Sequence, residues 1–271
     1  MKKRIIASAV LLPLLLIIVL ALPKICTAIL FGLMSAIAVY ELLVGTGLVK
    51  HIRLVSYAMV VACAVSILSH YGLPNPWTLL VTFLFVVVLF VEMMISHVKL
   101  RFDKMAMCFA AGILVPYLFT SLVRIHAIDK MGRFLILIPF IMAFMSDSGA
   151  YFAGKYLGKH KLAPAISPKK TIEGVVGGVL AAIIGMLIYA LIVDICGYTV
   201  NYMAAILYGL LGSLGGVFGD LCFSVIKRQT GIKDYGNLIP GHGGILDRFD
   251  SMMIVGPLAE ILLILLPLAV K

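Results

Sequence analysis

Long apolar runs recur along the whole chain, and they restrict its fold more than any other feature of the sequence. Of the 271 residues, 63% are hydrophobic, and the mean hydropathy is +1.15. Soluble domains are usually about 45–50% apolar, so a water-soluble core of this size could not hide the excess. The sequence therefore predicts a membrane protein whose apolar surface is solvated by lipid.

Nine segments are candidates for transmembrane helices, each of which needs about 20 mainly apolar residues. They are residues 5–22, 25–44, 53–69, 77–96, 104–123, 133–153, 172–193, 202–225 and 249–269. The first run is too long for a typical signal peptide, so we expect a retained span. The predicted fold is an all-α integral membrane protein of about nine spans, with N-terminal helices in 1–130 and a catalytic region in 131–271.

The distribution of Lys and Arg predicts the orientation of these spans. With the N-terminus in the cytoplasm, 17 of the 22 cationic residues face the cytoplasm and five face the other side. The C-terminus is then outside. The two most basic loops, 154–171 and 226–248, both face the cytoplasm in this arrangement, which is the side where nucleotides are found.

The formal net charge of +10 narrows the class of partner. In a membrane protein, basic loops suit anionic headgroups and polyphosphates. A nucleic-acid partner is not expected, because no basic stripe is interleaved with aromatic residues.

Residues 224–251 combine cations, carboxylates and glycines beside a membrane-spanning segment. Charge at this density beside lipid is costly unless it binds a charged ligand. Carboxylates suit Mg²⁺, Lys and Arg suit phosphate, and glycine lets backbone N–H groups approach phosphate oxygens. The segment therefore predicts a metal–phosphate site at the membrane face.

Asp220 lies inside the eighth apolar span and is a functional candidate, because an unpaired carboxylate there is costly. Ser224 and Lys227 follow at helical spacing, so the three side chains share one helix face. This face would present a metal ligand, a hydroxyl and an ammonium to the cytoplasm. A structural ion pair between Asp220 and Lys227 is the alternative interpretation.

Asp247, Asp250 and Ser251 have the spacing of one helical face at the start of the ninth span. Two carboxylates one turn apart repel each other unless a divalent cation bridges them. Helix capping by acidic residues is the alternative, chiefly for Asp250. The preceding glycine-rich turn, which includes His242, Gly243 and Gly244, could hold phosphate, although such a turn is a weak signal. His242 could contact phosphate, move a proton or simply form a hydrogen bond.

The other basic loop offers Ser167, Lys169, Lys170 and Thr171 at a helix entrance. Two lysines and a hydroxyl suit a polyphosphate, and the alternative is a topological signal with Thr171 as N-cap. Asp147, in the sixth span, is a third acid that could bind metal, position substrate or pair with a lysine. Two further acids, Glu41 and Glu92, are interpreted as interfacial or packing residues.

The motifs of this region resemble those of the phosphatidate cytidylyltransferases, also called CDP-diglyceride synthases. They are Ser224-x-x-Lys227-Arg228, Lys233-Asp234, Pro240-Gly241-His242-Gly243-Gly244 and Asp247-Arg248-x-Asp250-Ser251. The Ser167–Thr171 loop and the segment at Asp147 also resemble this family. The similarity is strong over about residues 130–255.

The resemblance implies that CTP and phosphatidic acid are converted to CDP-diacylglycerol and pyrophosphate with Mg²⁺. It also implies an all-helical fold, a homodimer and a place in the bacterial inner membrane. Asp220, Asp247 and Asp250 would hold one or two Mg²⁺ ions, and Lys227 would act with them in catalysis. The expected substrate-binding residues are Asp147, Ser167, Lys169, Lys170, Thr171, Ser224, Arg228, Lys233, Asp234, His242, Gly243, Gly244 and Arg248.

Two other functions remain open from the sequence. A CTP-dependent kinase of lipid alcohols could use the same metal and cations, although an alcohol nucleophile needs a base. An ion-coupled transporter would explain Asp147 and Asp220 as coupling acids, but it would not explain two basic glycine-containing loops on one side.

Overall fold

Helices dominate the part of the chain that the structure, a computed structural model, describes. That part comprises residues 13–72, 75–96, 100–128, 131–238 and 243–270. Within it, seven helical segments are long and apolar enough to cross a membrane. They are Lys24–Gly45, Ile52–Tyr71, Pro76–Ile95, Phe102–Ala127, Gly132–Tyr156, Ile172–Ile195 and Tyr202–Gln229. These seven correspond to the second to eighth predicted spans.

The individual elements are named in chain order. Helix α1 is described over 13–20, and it is followed by α2 (Lys24–Tyr40), a π-helical turn (Glu41–Gly45), α3 (Ile52–Leu68), a 3₁₀ turn (Ser69–Tyr71), α4 (Pro76–Ile95), α5 (Phe102–Phe119), α6 (Ser121–Ala127), α7 (Gly132–Leu135), α8 (Leu137–Tyr156), β1 (Lys161–Ala163), β2 (Ser167–Thr171), α9 (Ile172–Ile195), β3 (Thr199–Val200), α10 (Tyr202–Gln229), α11 (Ile245–Phe249), α12 (Met252–Leu265) and β4 (Ala269–Val270).

The first and ninth predicted spans have a different outcome from the other seven. Residues 5–12 of the first span lie outside the described residues. The ninth, expected as one helix over 249–269, consists of the end of α11, the turn residues Asp250 and Ser251, and the 14-residue α12. The total of nine spans and the orientation of the termini remain predictions.

Two small antiparallel sheets depart from a purely helical fold. In the first basic loop, β1 pairs with β2, with Lys161 opposite Thr171 and Ala163 opposite Ser167. Near the C-terminal end, β3 pairs with β4. The loop 154–171 is therefore largely a hairpin, in which paired strands satisfy backbone groups that an irregular loop would leave to water.

Local sequence signals explain where several helices begin. Asn75 accepts a hydrogen bond from the Trp77 N–H (2.9 Å), and Pro76 occupies the first turn of α4. Thr171 accepts one from the Gly174 N–H (3.1 Å) and caps α9. Both residues satisfy N–H groups that a helix leaves unpaired at its start.

The chain divides into two compact units, and the first comprises Met1–Arg133 and Lys227–Phe249. Aromatic side chains form its core where α11 packs against the N-terminal helices. Phe119 makes edge-to-face contacts with Phe31 and with Phe249, both at a ring-centroid separation of 5.3 Å. Such contacts bury large apolar surfaces, so they tie α11 into this unit.

The second unit comprises Phe134–Ile226 and Asp250–Lys271. Small residues bring α8 and α9 together: a Cβ added at Gly177 would lie 2.2 Å from the Ala153 Cβ. Gly178 of α9 and Gly212 of α10 both lie against α8, at Ser146 and Met142. Helix α10 also packs closely on α9, since a Cβ added at Gly209 would lie 2.5 Å from the Ile183 Cα. The Ser146 and Ser213 hydroxyls are hydrogen-bonded at 2.7 Å.

Candidate active site

The basic hairpin of the second unit is fixed to the first turn of α9 by Glu173. The Glu173 carboxylate accepts hydrogen bonds from the backbone N–H groups of Lys159 and His160 at 3.1–3.2 Å. It also lies 2.6 Å from the His160 Nδ1. Because β2 runs directly into α9, this contact holds Lys169 and Lys170 at the helix entrance, as the sequence predicts.

Asp220 and Lys170 form an ion pair that is open to solvent on one side. The Lys170 Nζ lies 2.5 Å from the Asp220 Oδ2, and the two side chains are 24% and 34% exposed. The Ser224 hydroxyl donates to the Asp220 Oδ1 at 3.2 Å, which confirms the predicted shared face of these two residues. We call Lys170, Asp220 and Ser224 the Asp220 cluster. A partly exposed pair of this kind can exchange partners when an anion or a metal ion arrives.

Asp247 occupies a more enclosed position in the first unit. Its Oδ1 accepts a hydrogen bond from the Lys227 Nζ at 3.0 Å. Its Oδ2 accepts two, from the backbone N–H groups of Tyr235 (2.8 Å) and Gly244 (3.1 Å). The side chains of Asp247 and Lys227 are 2% and 11% exposed. A buried ion pair needs such additional hydrogen bonds to offset its desolvation.

We call Lys227, Tyr235, Gly244 and Asp247 the Asp247 cluster. The Tyr235 ring adds a cation–π contact, because the Lys227 Nζ lies 5.3 Å from its centroid. The sequence left open a structural pair between Asp220 and Lys227. In the structure the ammonium of Lys227 binds the carboxylate of Asp247, which is 20 residues further along the chain.

The glycine-rich turn lies close to protein carboxylates. Gly243 has a φ of +84°, a backbone conformation that favours glycine. A Cβ there would lie 2.9 Å from the Asp247 Oδ2. Gly241 and His242 lie outside the described residues, so the predicted role of His242 remains a prediction.

Glu41 is the residue that the sequence interpretation missed. Its carboxylate is buried, with the residue 4% exposed. It accepts hydrogen bonds from the backbone N–H groups of Ile245 (3.1 Å) and Leu246 (2.8 Å) in α11. The available signal was an acid at the end of an apolar span, but nothing in the sequence indicates a partner 204 residues away.

The remaining residues predicted to form the site differ in their exposure to solvent. Lys169, Arg228, Lys233, Asp234, Arg248 and Asp147 are exposed, Ser167 is partly buried, and Thr171 is buried as the cap of α9. Exposed cations remain accessible to an anionic ligand. Thr171, predicted to bind substrate, uses its hydroxyl oxygen for the cap.

Asp250 does not share a continuous helix with Asp247, contrary to the expectation from spacing. Helix α11 ends at Phe249, and Asp250 lies in the turn before α12. Asp250 is buried, and its Oδ1 accepts a hydrogen bond from the Ser251 N–H at 2.8 Å. The chain turns between the two acids, so helical spacing does not set their arrangement.

The donor chemistry can be compared with what Mg²⁺ requires. In neither unit do three or more described His, Cys, Asp or Glu side chains come together as a metal-binding group. Mg²⁺ binds through few carboxylates and keeps several waters. The partly exposed Asp220 fits this requirement. The Oδ2 of Asp247 already accepts two N–H groups, but its Oδ1 accepts a single hydrogen bond from the described residues, so Asp247 still has acceptor capacity for a cation.

Among the described residues, seven apolar helices of membrane-spanning length, together with an ionic cluster in each unit, indicate a polytopic membrane protein. Comparison with known proteins gives the family to which the chain belongs. A sequence profile described as "Cytidylyltransferase family" matches residues 2–266. The chain therefore belongs to the cytidylyltransferase family, and the predicted resemblance is confirmed.

Similar proteins carry a more specific name. Phosphatidate cytidylyltransferases of Staphylococcus haemolyticus and Bacillus subtilis are 39% and 38% identical over 170 and 164 residues, which are 63% and 60% of each chain. That of Staphylococcus aureus is 36% identical over 239 residues, 86% of this chain and 88% of its own length. The match thus spans less than two thirds of the first two relatives.

Proposed function

We propose that this protein transfers a cytidylyl group from CTP to phosphatidic acid, giving CDP-diacylglycerol and pyrophosphate. The observation that carries the proposal is the 239-residue similarity to a phosphatidate cytidylyltransferase. The family profile, which matches residues 2–266, covers both charged clusters. A nucleotide and an anionic lipid also agree with the net charge of +10. The proposed setting is the bacterial inner membrane, with the site facing the cytoplasm and the protein acting as a homodimer.

The reaction is a displacement at phosphorus. One phosphate oxygen of phosphatidic acid attacks the α-phosphorus of CTP, and the bond from that phosphorus to the bridging oxygen of the β-phosphate breaks. Pyrophosphate leaves with the bridging oxygen. A phosphate dianion is already a nucleophile, so no general base is required. Catalysis then depends on alignment and on neutralising charge.

The Asp220 cluster supports a role in handling CTP. Lys170 is held by Asp220 but remains 24% exposed, so its ammonium is available to polyphosphate oxygens. The exposed Lys169 extends the positive charge along the same strand. We assign these two lysines to the nucleotide phosphates. Arg228, Lys233 and Arg248, all exposed, would neutralise the remaining charge.

We propose Mg²⁺ as the cofactor, held by Asp220, Asp247 and Asp250. The ion would supply Lewis-acid stabilisation of the pyrophosphate leaving group. Within this assignment, Ser224 orients the Asp220 carboxylate and Lys227 orients that of Asp247, as their hydrogen bonds indicate. One or two ions are compatible with three carboxylates.

An end-point assay on purified protein in detergent tests the reaction class. CTP, phosphatidic acid and Mg²⁺ are supplied, and both products are identified by mass. We expect CDP-diacylglycerol and pyrophosphate, and no product after addition of a chelator. CDP with a phosphorylated lipid alcohol, formed when alcohols are supplied instead, would indicate a kinase. Intact CTP with all lipids would contradict the proposed function.

A further inference from the structure

Glu41 has the geometry of an anchor for the segment that carries Asp247. Its two carboxylate oxygens accept separate hydrogen bonds, Oε1 from the Ile245 N–H and Oε2 from the Leu246 N–H. Asp247 accepts the N–H of Gly244, the residue just before them. Three consecutive backbone N–H groups therefore end on two buried carboxylates.

The backbone around Glu41 is shaped to admit this carboxylate closely. A Cβ added at Gly236 would lie 2.5 Å from the Glu41 Oε1, and one at Gly244 would lie 2.3 Å from the same atom. At Gly45, in the same π-helical turn, a Cβ would lie 2.1 Å from the Tyr235 carbonyl oxygen. These three glycines thus let the π-helical turn come into close contact with the backbone at Tyr235, Gly236 and Gly244.

Burying two carboxylates near each other costs free energy. Glu41 and Asp247 are both buried acids of the first unit, and their like charges repel. Burying a carboxylate is expensive without hydrogen bonds, and a packing residue at this position would not need a charge. The bonds to Ile245 and Leu246 recover that cost only when α11 is in its observed place.

We propose that Glu41 is a positioning residue, which holds α11 so that Asp247 and Lys227 keep one geometry for cytidylyl transfer. This inference rests on the proposed function for its catalytic consequence. Glu41 acts through Asp247 and does not touch substrate. Its loss is expected to reduce turnover more than substrate affinity, because alignment matters most in the transition state.

Two substitutions perturb the anchor in different ways. Glu41→Gln keeps the size of the side chain but presents an NH₂ group to one of the two N–H donors. Gly236→Ala leaves Glu41 intact and pushes a methyl group against its carboxylate. Glu92→Gln is the matched control, because Glu92 is a second acid in a membrane-spanning helix and pairs only loosely with Arg53, at 3.5 Å.

Two readouts are taken from each purified variant. Hydrogen exchange of the peptide covering residues 243–249 is measured without substrates, and steady-state kinetics are measured for CTP and phosphatidic acid. Glu41→Gln and Gly236→Ala should both accelerate exchange in this peptide and lower kcat about tenfold, with KM values changed less than about threefold. Glu92→Gln should leave both readouts at wild-type values.

Other results would overturn the inference. Wild-type exchange in both variants would show that Glu41 does not hold α11. Faster exchange with wild-type kcat would show that the anchor has no catalytic consequence. If Glu41→Gln does not fold, Gly236→Ala alone decides between these outcomes. A wild-type protein that makes no CDP-diacylglycerol would contradict the proposed function instead, and the exchange measurement distinguishes that failure because it needs no catalysis.

Discussion

Individual charged residues in this protein are held by partners that differ in how enclosed they are. Asp247 accepts hydrogen bonds from an ammonium and two backbone N–H groups and is almost completely buried, whereas Asp220 is one third exposed beside Lys170. A buried charge cannot lose its partner without a large cost in free energy. An exposed pair can exchange its partner for a ligand. The two acids should therefore respond differently to substitution.

Asp247→Asn should abolish cytidylyl transfer, since it removes a proposed metal ligand. It also leaves the buried Lys227 without a carboxylate, so the free energy of unfolding should fall by about 3–5 kcal/mol. Product formation and thermal unfolding in detergent measure the two effects. The control is Asp103→Asn, at an exposed acid paired with Arg101. Normal turnover in Asp247→Asn would contradict its metal role.

Lys170→Ala should weaken the handling of CTP more than that of lipid. The ammonium is proposed to neutralise the nucleotide phosphates, so we expect KM for CTP to rise about tenfold, with a smaller change for phosphatidic acid. Lys161→Ala removes an exposed cation from the paired strand of the same hairpin and serves as control. Equal effects of both substitutions would indicate a general loss of positive charge.

Among the elements, α8 and α9 form the tightest helix pair described in the second unit. Glycine and alanine on both helices bring their backbones together, as small residues do in membranes, where lipid gives helices no hydrophobic reason to associate. At Gly149, a Cβ would lie 2.6 Å from the Gly177 carbonyl oxygen. Because α9 follows the basic hairpin and α8 precedes it, this packing fixes both ends of the segment that carries Lys170.

Gly177→Ala should therefore separate these helices. Its methyl group would lie 2.2 Å from the Ala153 Cβ, and we expect a loss of about 1–3 kcal/mol in the free energy of unfolding, measured by titration with SDS. Gly216→Ala on α10 is the matched control, because its nearest neighbour would lie at an ordinary 3.5 Å. There the helix propensity of alanine should maintain or raise stability. Equal stability of the two variants would contradict this packing argument.

For the whole molecule, the orientation in the membrane is the property that the proposed function requires. The basic hairpin precedes α9, and Cys196, which is exposed, directly follows α9. A spanning helix separates them by the thickness of the bilayer. If the hairpin faces the cytoplasm, the thiol of Cys196 must face the opposite side.

An impermeant maleimide should therefore label Cys196 in intact spheroplasts and should not label Cys196→Ser. In the Cys196→Ser variant, the further substitution Lys161→Cys places a thiol on the hairpin. This thiol should react only in inverted vesicles. Each of the two thiols is therefore expected to react in one preparation and not in the other. Reaction of Lys161→Cys from outside would reverse the proposed topology and remove the hairpin from the cytoplasmic nucleotide pool.

The sequence by itself determined seven helices of membrane-spanning length in the described part of the chain, the shared face of Asp220 and Ser224, and the family, and it offered the Thr171 cap as the alternative to a substrate-binding role. All of these follow from spacing along a single element or from a local motif, so neighbours in the chain are sufficient to predict them. The break before α12 was missed because the spacing of Asp247, Asp250 and Ser251 also fits one continuous helix.

Only the tertiary structure decided which ammonium each acid binds and that Glu41 holds α11. Lys227 and Asp247 are 20 residues apart, and Glu41 and Leu246 are 205 apart. Partners at such separations are chosen by how the helices pack. That packing depends on glycine contacts and buried surfaces throughout each unit, which no local pattern contains.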